Sequence, residues 1–129
     1  MQANAGKPKP VELRVSRDKR LLTVSFDNGE RFAIPAEMLR VYSPSAEVQG
    51  HRSDQRKLEH GKRNVEIMRV VATGNYAVRI VFDDMHETGI FTWGFLHDLG
   101  ANLDARLASY EAELAGKGLS RDPPAATRN

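Results

Sequence analysis

The chain has 129 residues, 40% of them hydrophobic and 28% charged, which suits one modest domain with a well-solvated surface. Its net charge of +2 gives no strong field for nucleic acid. It has no cysteine, so disulfides, thiolate catalysis and Cys-ligated zinc or iron–sulfur sites within the chain are excluded.

Residues 1–10 are small, polar and proline-bearing, the composition of a disordered lead-in. They hold no apolar run, so no signal peptide is read there. No segment approaches the roughly 20 apolar residues of a membrane span. The expected location is cytoplasmic, with neither membrane nor nucleic acid as a partner.

From Val11 the pattern alternates. Val11, Leu13 and Val15 face one way against Glu12, Arg14 and Ser16. Leu22, Val24 and Phe26 repeat the alternation after a polar turn at Arg17-Asp18-Lys19. Asn28-Gly29 is a strong hairpin signal, and Phe32 and Ile34 form the return. Residues 11–34 therefore predict a three-stranded meander. Pro35 can open a helix, but Ser43-Pro44-Ser45 ends anything that begins there. Residues 49–63 read as a loop. It carries Arg52, Arg56, Lys57, Lys62 and Arg63, with His51 and His60.

Residues 65–73 and 76–82 read as two strands joined by a two-residue turn at Gly74-Asn75. Residues 87–91 are a short last strand. Thr92 is a natural N-cap. Beyond it Leu96, Leu99, Leu103, Leu107, Tyr110 and Leu114 recur at steps of three and four, one apolar helix face. Gly100 lies inside that pattern, where it would kink or split the helix. Residues 116–129 read as a frayed tail, and both ends are expected to be dispensable for folding. The fold class is α+β: about six short, mostly antiparallel strands with one long C-terminal helix, whole or broken, packed on the sheet, all within residues 11–115.

The one cluster with metal-ligand chemistry is Asp83, Asp84, His86 and Glu87. Carboxylate and imidazole suit iron, manganese or zinc. Aspartate also favours turns, and strand alternation sends His86 and Glu87 to opposite faces. A polar turn is therefore the preferred reading, with a metal held by His86, Asp83 and Asp84 as its rival. No histidine is followed two residues later by an acid, so the iron-dioxygenase pattern is missing. Gly61-Lys62 and Gly116-Lys117 lack the Ser or Thr of a phosphate loop. The basic residues Arg52, Arg56, Lys57, Lys62 and Arg63 could dock phosphate or an acidic partner, although a solvated loop is the preferred reading. Trp93 is expected to be mostly buried at the helix start.

Three stretches together carry a resemblance. They are LRVYSPSAEVQGH at 39–51, GKRNVEI at 61–67 with GNYAVRIVFDD at 74–84, and HETGIFTWGFLHDLG at 86–100. The chain resembles the gamma-butyrobetaine hydroxylase-like N-terminal domain family over about residues 11–110. The resemblance implies three settings. In carnitine-pathway dioxygenases the domain precedes a catalytic 2-oxoglutarate/Fe(II) domain and carries a structural zinc. Elsewhere it is joined to P-loop ATPases of the iron–sulfur carrier type. Small stand-alone bacterial copies are the third, and the most similar to this chain. Zinc-bearing relatives use three cysteines, from the segment matching Ser43–Val48, and a histidine matching His86. Here Ser43 and Ser45 stand at two of the cysteine positions and the third falls near Val48. The resemblance thus implies that Ser43, Ser45 and His86 are neighbours, while hydroxyls make poor zinc ligands beside thiolates. The function it implies is a non-catalytic binding or adaptor module. Its expected partner is an iron–sulfur carrier ATPase or an iron-dependent oxygenase. The rival is direct binding of iron or zinc through His86.

Overall fold

Alternation is realised most cleanly in strand β2 (Leu21–Phe26), where Leu22, Val24 and Phe26 are buried and the residues between them are not. The computed structural model describes residues 8–45, 48, 57–87 and 89–123. Strand β1 (Pro10–Val15) and β3 (Arg31–Pro35) flank β2 in an antiparallel meander. The register shifts between Pro10 and Glu12, so Val11 stands out of the alternation and is 68% exposed. A bulge on an edge strand has this effect. At the β2–β3 turn only Gly29 takes a left-handed φ, +91°. Asn28 instead accepts the Glu30 N–H through its side chain at 3.0 Å.

Pro35 opens helix α1 (Ala36–Val41) as its N-cap, and all six residues of that helix are buried, Glu37 and Arg40 included. The second meander comprises β4 (Ile67–Thr73), β5 (Ala77–Phe82) and β6 (Ile90–Thr92). The six strands therefore form two three-stranded antiparallel sheets rather than one. The Ile67 N–H bonds the Lys19 carbonyl at 2.8 Å and ties the second sheet to a turn of the first. Thr73 pairs with Ala77, so the β4–β5 connection has Gly74, Asn75 and Tyr76 rather than two residues.

Thr92 caps helix α2 (Trp93–Ala101) by accepting the Phe95 N–H at 3.2 Å. Helix α3 (Leu103–Gly116) follows after a single residue, Asn102. The long helical pattern is thus broken into two helices, as the sequence allowed, but the break is at Asn102, not Gly100. Asn102 donates to the Asp98 carbonyl through both its backbone N–H (3.1 Å) and its side-chain amide (2.9 Å). Local side-chain bonding of this kind competes with helix continuation. Gly100 has a different role: a Cβ there would stand 2.6–2.8 Å from the Phe32 side chain. The glycine lets α2 lie close on β3.

One core joins these elements. Val24 and Ile34 of the first sheet, Ile80 and Phe91 of the second, Leu39 of α1 and Leu96, Leu99, Tyr110 and Leu114 of the C-terminal helices all belong to it. Leu103 and Leu107 pack at its margin. Residues 117–123 depart from the expected frayed tail. Gly118, at φ +68°, closes α3 with bonds from its own N–H to Ala115 and from Leu119 N–H to Leu114. This is a Schellman ending. The chain then runs back along residues 61–63.

Candidate functional site

The turn between β5 and β6 organises the polar interior. Phe82 N–H bonds the His86 carbonyl at 2.9 Å, and the Asp84 carboxylate accepts the His86 N–H at 3.1 Å. Asp83 accepts the Glu66 N–H at 3.0 Å, and its own N–H bonds the Glu66 carbonyl. Met85 sits at the tip with φ +76° and 84% exposure. Asp83 and Asp84 thus take the roles of turn aspartates, binding nearby backbone N–H groups.

His86 is buried. Its Nε2 lies 2.9 Å from Ser43 Oγ and 3.4 Å from Ser45 Oγ. Both serines are buried too, Ser43 completely. The three residues that the family resemblance places together are therefore together. Gly89 makes room for this contact, because a Cβ at that position would lie 2.3 Å from Ser43 Oγ. A hydroxyl–imidazole pair is the start of a nucleophilic arrangement. Ser43 Oγ has no exposure to a substrate, however, so the pair works as packing.

Beside it lies an ion network. Asp84 Oδ2 accepts Arg40 Nε at 2.8 Å and Lys62 Nζ at 2.6 Å. Arg40 Nη1 lies 3.4 Å from Glu59 Oε2 without forming a hydrogen bond. Arg40 and Glu59 are both buried. Burial pushes the Asp84 carboxyl up, but the bonds from Lys62 and the His86 N–H and the charge of Arg40 outweigh it, leaving Asp84 below the usual aspartate range.

This geometry does not suit a metal. Asp84 Oδ2 already holds two cations, and among the described residues His86 Nε2 meets the neutral hydroxyls of Ser43 and Ser45. Among the described residues no three His, Cys, Asp or Glu side chains form a group able to hold an ion. Glu87 lies 3.4 Å from Arg79, apart from the network.

The basic loop lies only partly among the described residues. Arg52 and Arg56, like His51, lie outside the described residues. Lys57 is exposed and 3.7 Å from Glu59. Lys62 is spent on Asp84 and Arg63 on Asp122. A second place of interest is an open hollow of about 560 Å³ whose lining includes Lys9, Tyr76, Thr92, Trp93 and His97. Trp93 is partly buried there and packs against the core, close to the expected burial. Its indole N–H donates to the Asn75 carbonyl at 2.9 Å, which fixes the ring at the rim. Tyr76 is 53% exposed.

The sequence reading missed Arg40, Glu37 and Arg121. Arg121 grips the buried Glu37 carboxylate with two bonds of 2.8 and 2.7 Å. The available signal was helix α1, where apolar residues on every side of a single short turn leave its charged residues no outward face.

Residues 13–97 match the family described as gamma-butyrobetaine hydroxylase-like, N-terminal. The chain belongs to this family. Two proteins with NMR solution structures are similar to it over nearly their whole lengths. One is 40% identical, covering 96% of this chain and 98% of that one, with a TM-score of 0.79. The other is 42% identical, covering 100% and 96%, with the same TM-score of 0.79. A crystal structure of a protein of unknown function from Acidithiobacillus ferrooxidans, placed in the DUF971 family, is 35% identical. It covers 72% of this chain and 93% of that one at a TM-score of 0.61. No curated protein matches the chain. Among the described residues no helix is long and apolar enough to cross a membrane.

Proposed function

We propose that this family member is a non-catalytic protein-binding module of the cytoplasm. Its partner would be an iron–sulfur carrier ATPase or an iron-dependent oxygenase. One observation carries the reading: the side chains fit for chemistry are buried against one another. Ser43, Ser45 and His86 satisfy each other, and Asp84 is held by Arg40 and Lys62. A catalytic site needs its reacting groups within reach of a substrate. The open surface, by contrast, offers Tyr76 and Trp93 beside Lys9, the kind of aromatic rim that protein contacts favour. The partner class rests on the family settings alone.

The rival reading, iron or zinc held by His86 with Asp83 or Asp84, has less to support it. Asp83 and Asp84 are engaged with Glu66, Arg40 and Lys62.

Calorimetric titration of the full chain with the purified carrier ATPase, and separately with the oxygenase, from the same organism is the test. Saturable binding to one of them is expected. Binding to neither would remove the partner assignment.

A further inference from the structure

Residues 119–122 run between α1 and the segment 61–63 and are bonded to both. The Gly61 N–H donates to the Ser120 carbonyl and the Arg63 N–H to the Arg121 carbonyl, both at 2.9 Å. Arg121 spans the Glu37 carboxylate bidentately and reaches Glu111 at 3.0 Å. Leu119 rests half-buried against the core.

The receiving side and the occupant are unequal. Glu37 is only 4% exposed and is fixed in α1. Glu37, Gly61 and Arg63 all lie within the family match at 13–97, whereas residues 119–122 lie outside it. The occupant contributes one apolar side chain, one guanidinium, the Asp122 carboxylate on Arg63 and two backbone carbonyls. Any extended chain supplies the carbonyls, so what the receiving side reads is an apolar residue, an arginine two places on and an exposed acid after it. A bidentate guanidinium–carboxylate pair adds directional specificity that lysine does not match. The segment also hangs from a pivot, the left-handed Gly118 at the end of α3. A buried Glu37 stripped of its partner is costly, so the receiving side would exchange one arginine for another rather than stand open.

We propose that this receiving side is a docking groove for an extended, arginine-bearing segment of a partner protein, and that residues 119–122 fill it as a tethered stand-in. The proposal rests on the reading of the chain as a binding module and gives that module a recognition chemistry. Occupancy also bears on the polar interior, because the segment gripped at Gly61 and Arg63 carries Lys62 to Asp84.

The test uses the full ¹⁵N-labelled chain, its Arg121→Ala variant, and a synthetic peptide of residues 117–123, KGLSRDP. A short tether holds its own segment at about millimolar effective concentration, so the peptide should bind the native chain at least about tenfold more weakly than the variant. In the variant it should shift the Gly61 and Arg63 amide signals. The same peptide with alanine for arginine should do neither. Equal binding of both peptides, or binding of neither, overturns the proposal. If Arg121→Ala does not fold, hydrogen exchange of the native chain decides. Exchange of the Gly61 and Arg63 amides by local opening supports the groove, and exchange only through global unfolding overturns it. A chain that binds the ATPase or oxygenase yet ignores the peptide would keep the module reading and lose this groove.

Discussion

Two regions of this molecule use their polar groups in opposite ways. Around Asp84 and His86 the polar side chains are turned inward and bonded to residues distant in sequence, such as Arg40 and Ser43. Around Trp93 and Tyr76 the side chains bond little and line an open hollow. The inward region costs desolvation and repays it only while every partner is present. The outward region has no such debt. The difference separates residues that hold the fold from residues free to meet something else.

The largest effect should come from breaking the inward network. Asp84→Ala leaves Arg40 buried beside Lys62 without their shared carboxylate. Breaking a buried pair typically costs ~3–5 kcal/mol, and Asp84 keeps some exposure, so about 3 kcal/mol is expected in denaturant unfolding. Acid should narrow that gap. The fold holds the Asp84 carboxyl below its ordinary value of 3.8, so its contribution is full above that pH. It is lost as pH falls through 3.8 toward the folded value. Native and Asp84→Ala stabilities should therefore converge in strong acid. A gap unchanged by pH would mean that Asp84 acts through packing rather than charge.

A smaller effect is expected from Trp93→Ala. Full burial of an aromatic is typically worth ~3–5 kcal/mol on truncation, so a half-buried Trp93 should cost about 2 kcal/mol. Partner affinity should fall more than stability does. A loss as large as that of Asp84→Ala would erase the contrast between the regions.

The elements that alternate were readable from local pattern. The β1–β3 meander, the β5 strand and the Thr92 cap each depend on residues close in the chain. What escaped depends on distance or on contact. The periodicity from Leu96 to Leu114 runs unbroken across Asn102, so nothing in it marks that residue as the break. Gly100 looked like a breaker because the Phe32 ring that requires it is remote in sequence. The separation into two sheets arises from how the meanders pack, which alternation within each strand does not encode. The closeness of Ser43, Ser45 and His86 came from family resemblance, never from spacing. Nothing local marks Arg121 as part of the fold, because its partner, Glu37, lies 84 positions away.

The central claim is that the Ser43–Ser45–His86 cluster holds the fold and is not a metal centre. Calorimetric titration of the native chain with zinc, and with ferrous iron under anaerobic conditions, tests it most directly. The account predicts no stoichiometric binding of either ion. Tight one-to-one binding that disappears in His86→Ala would contradict it.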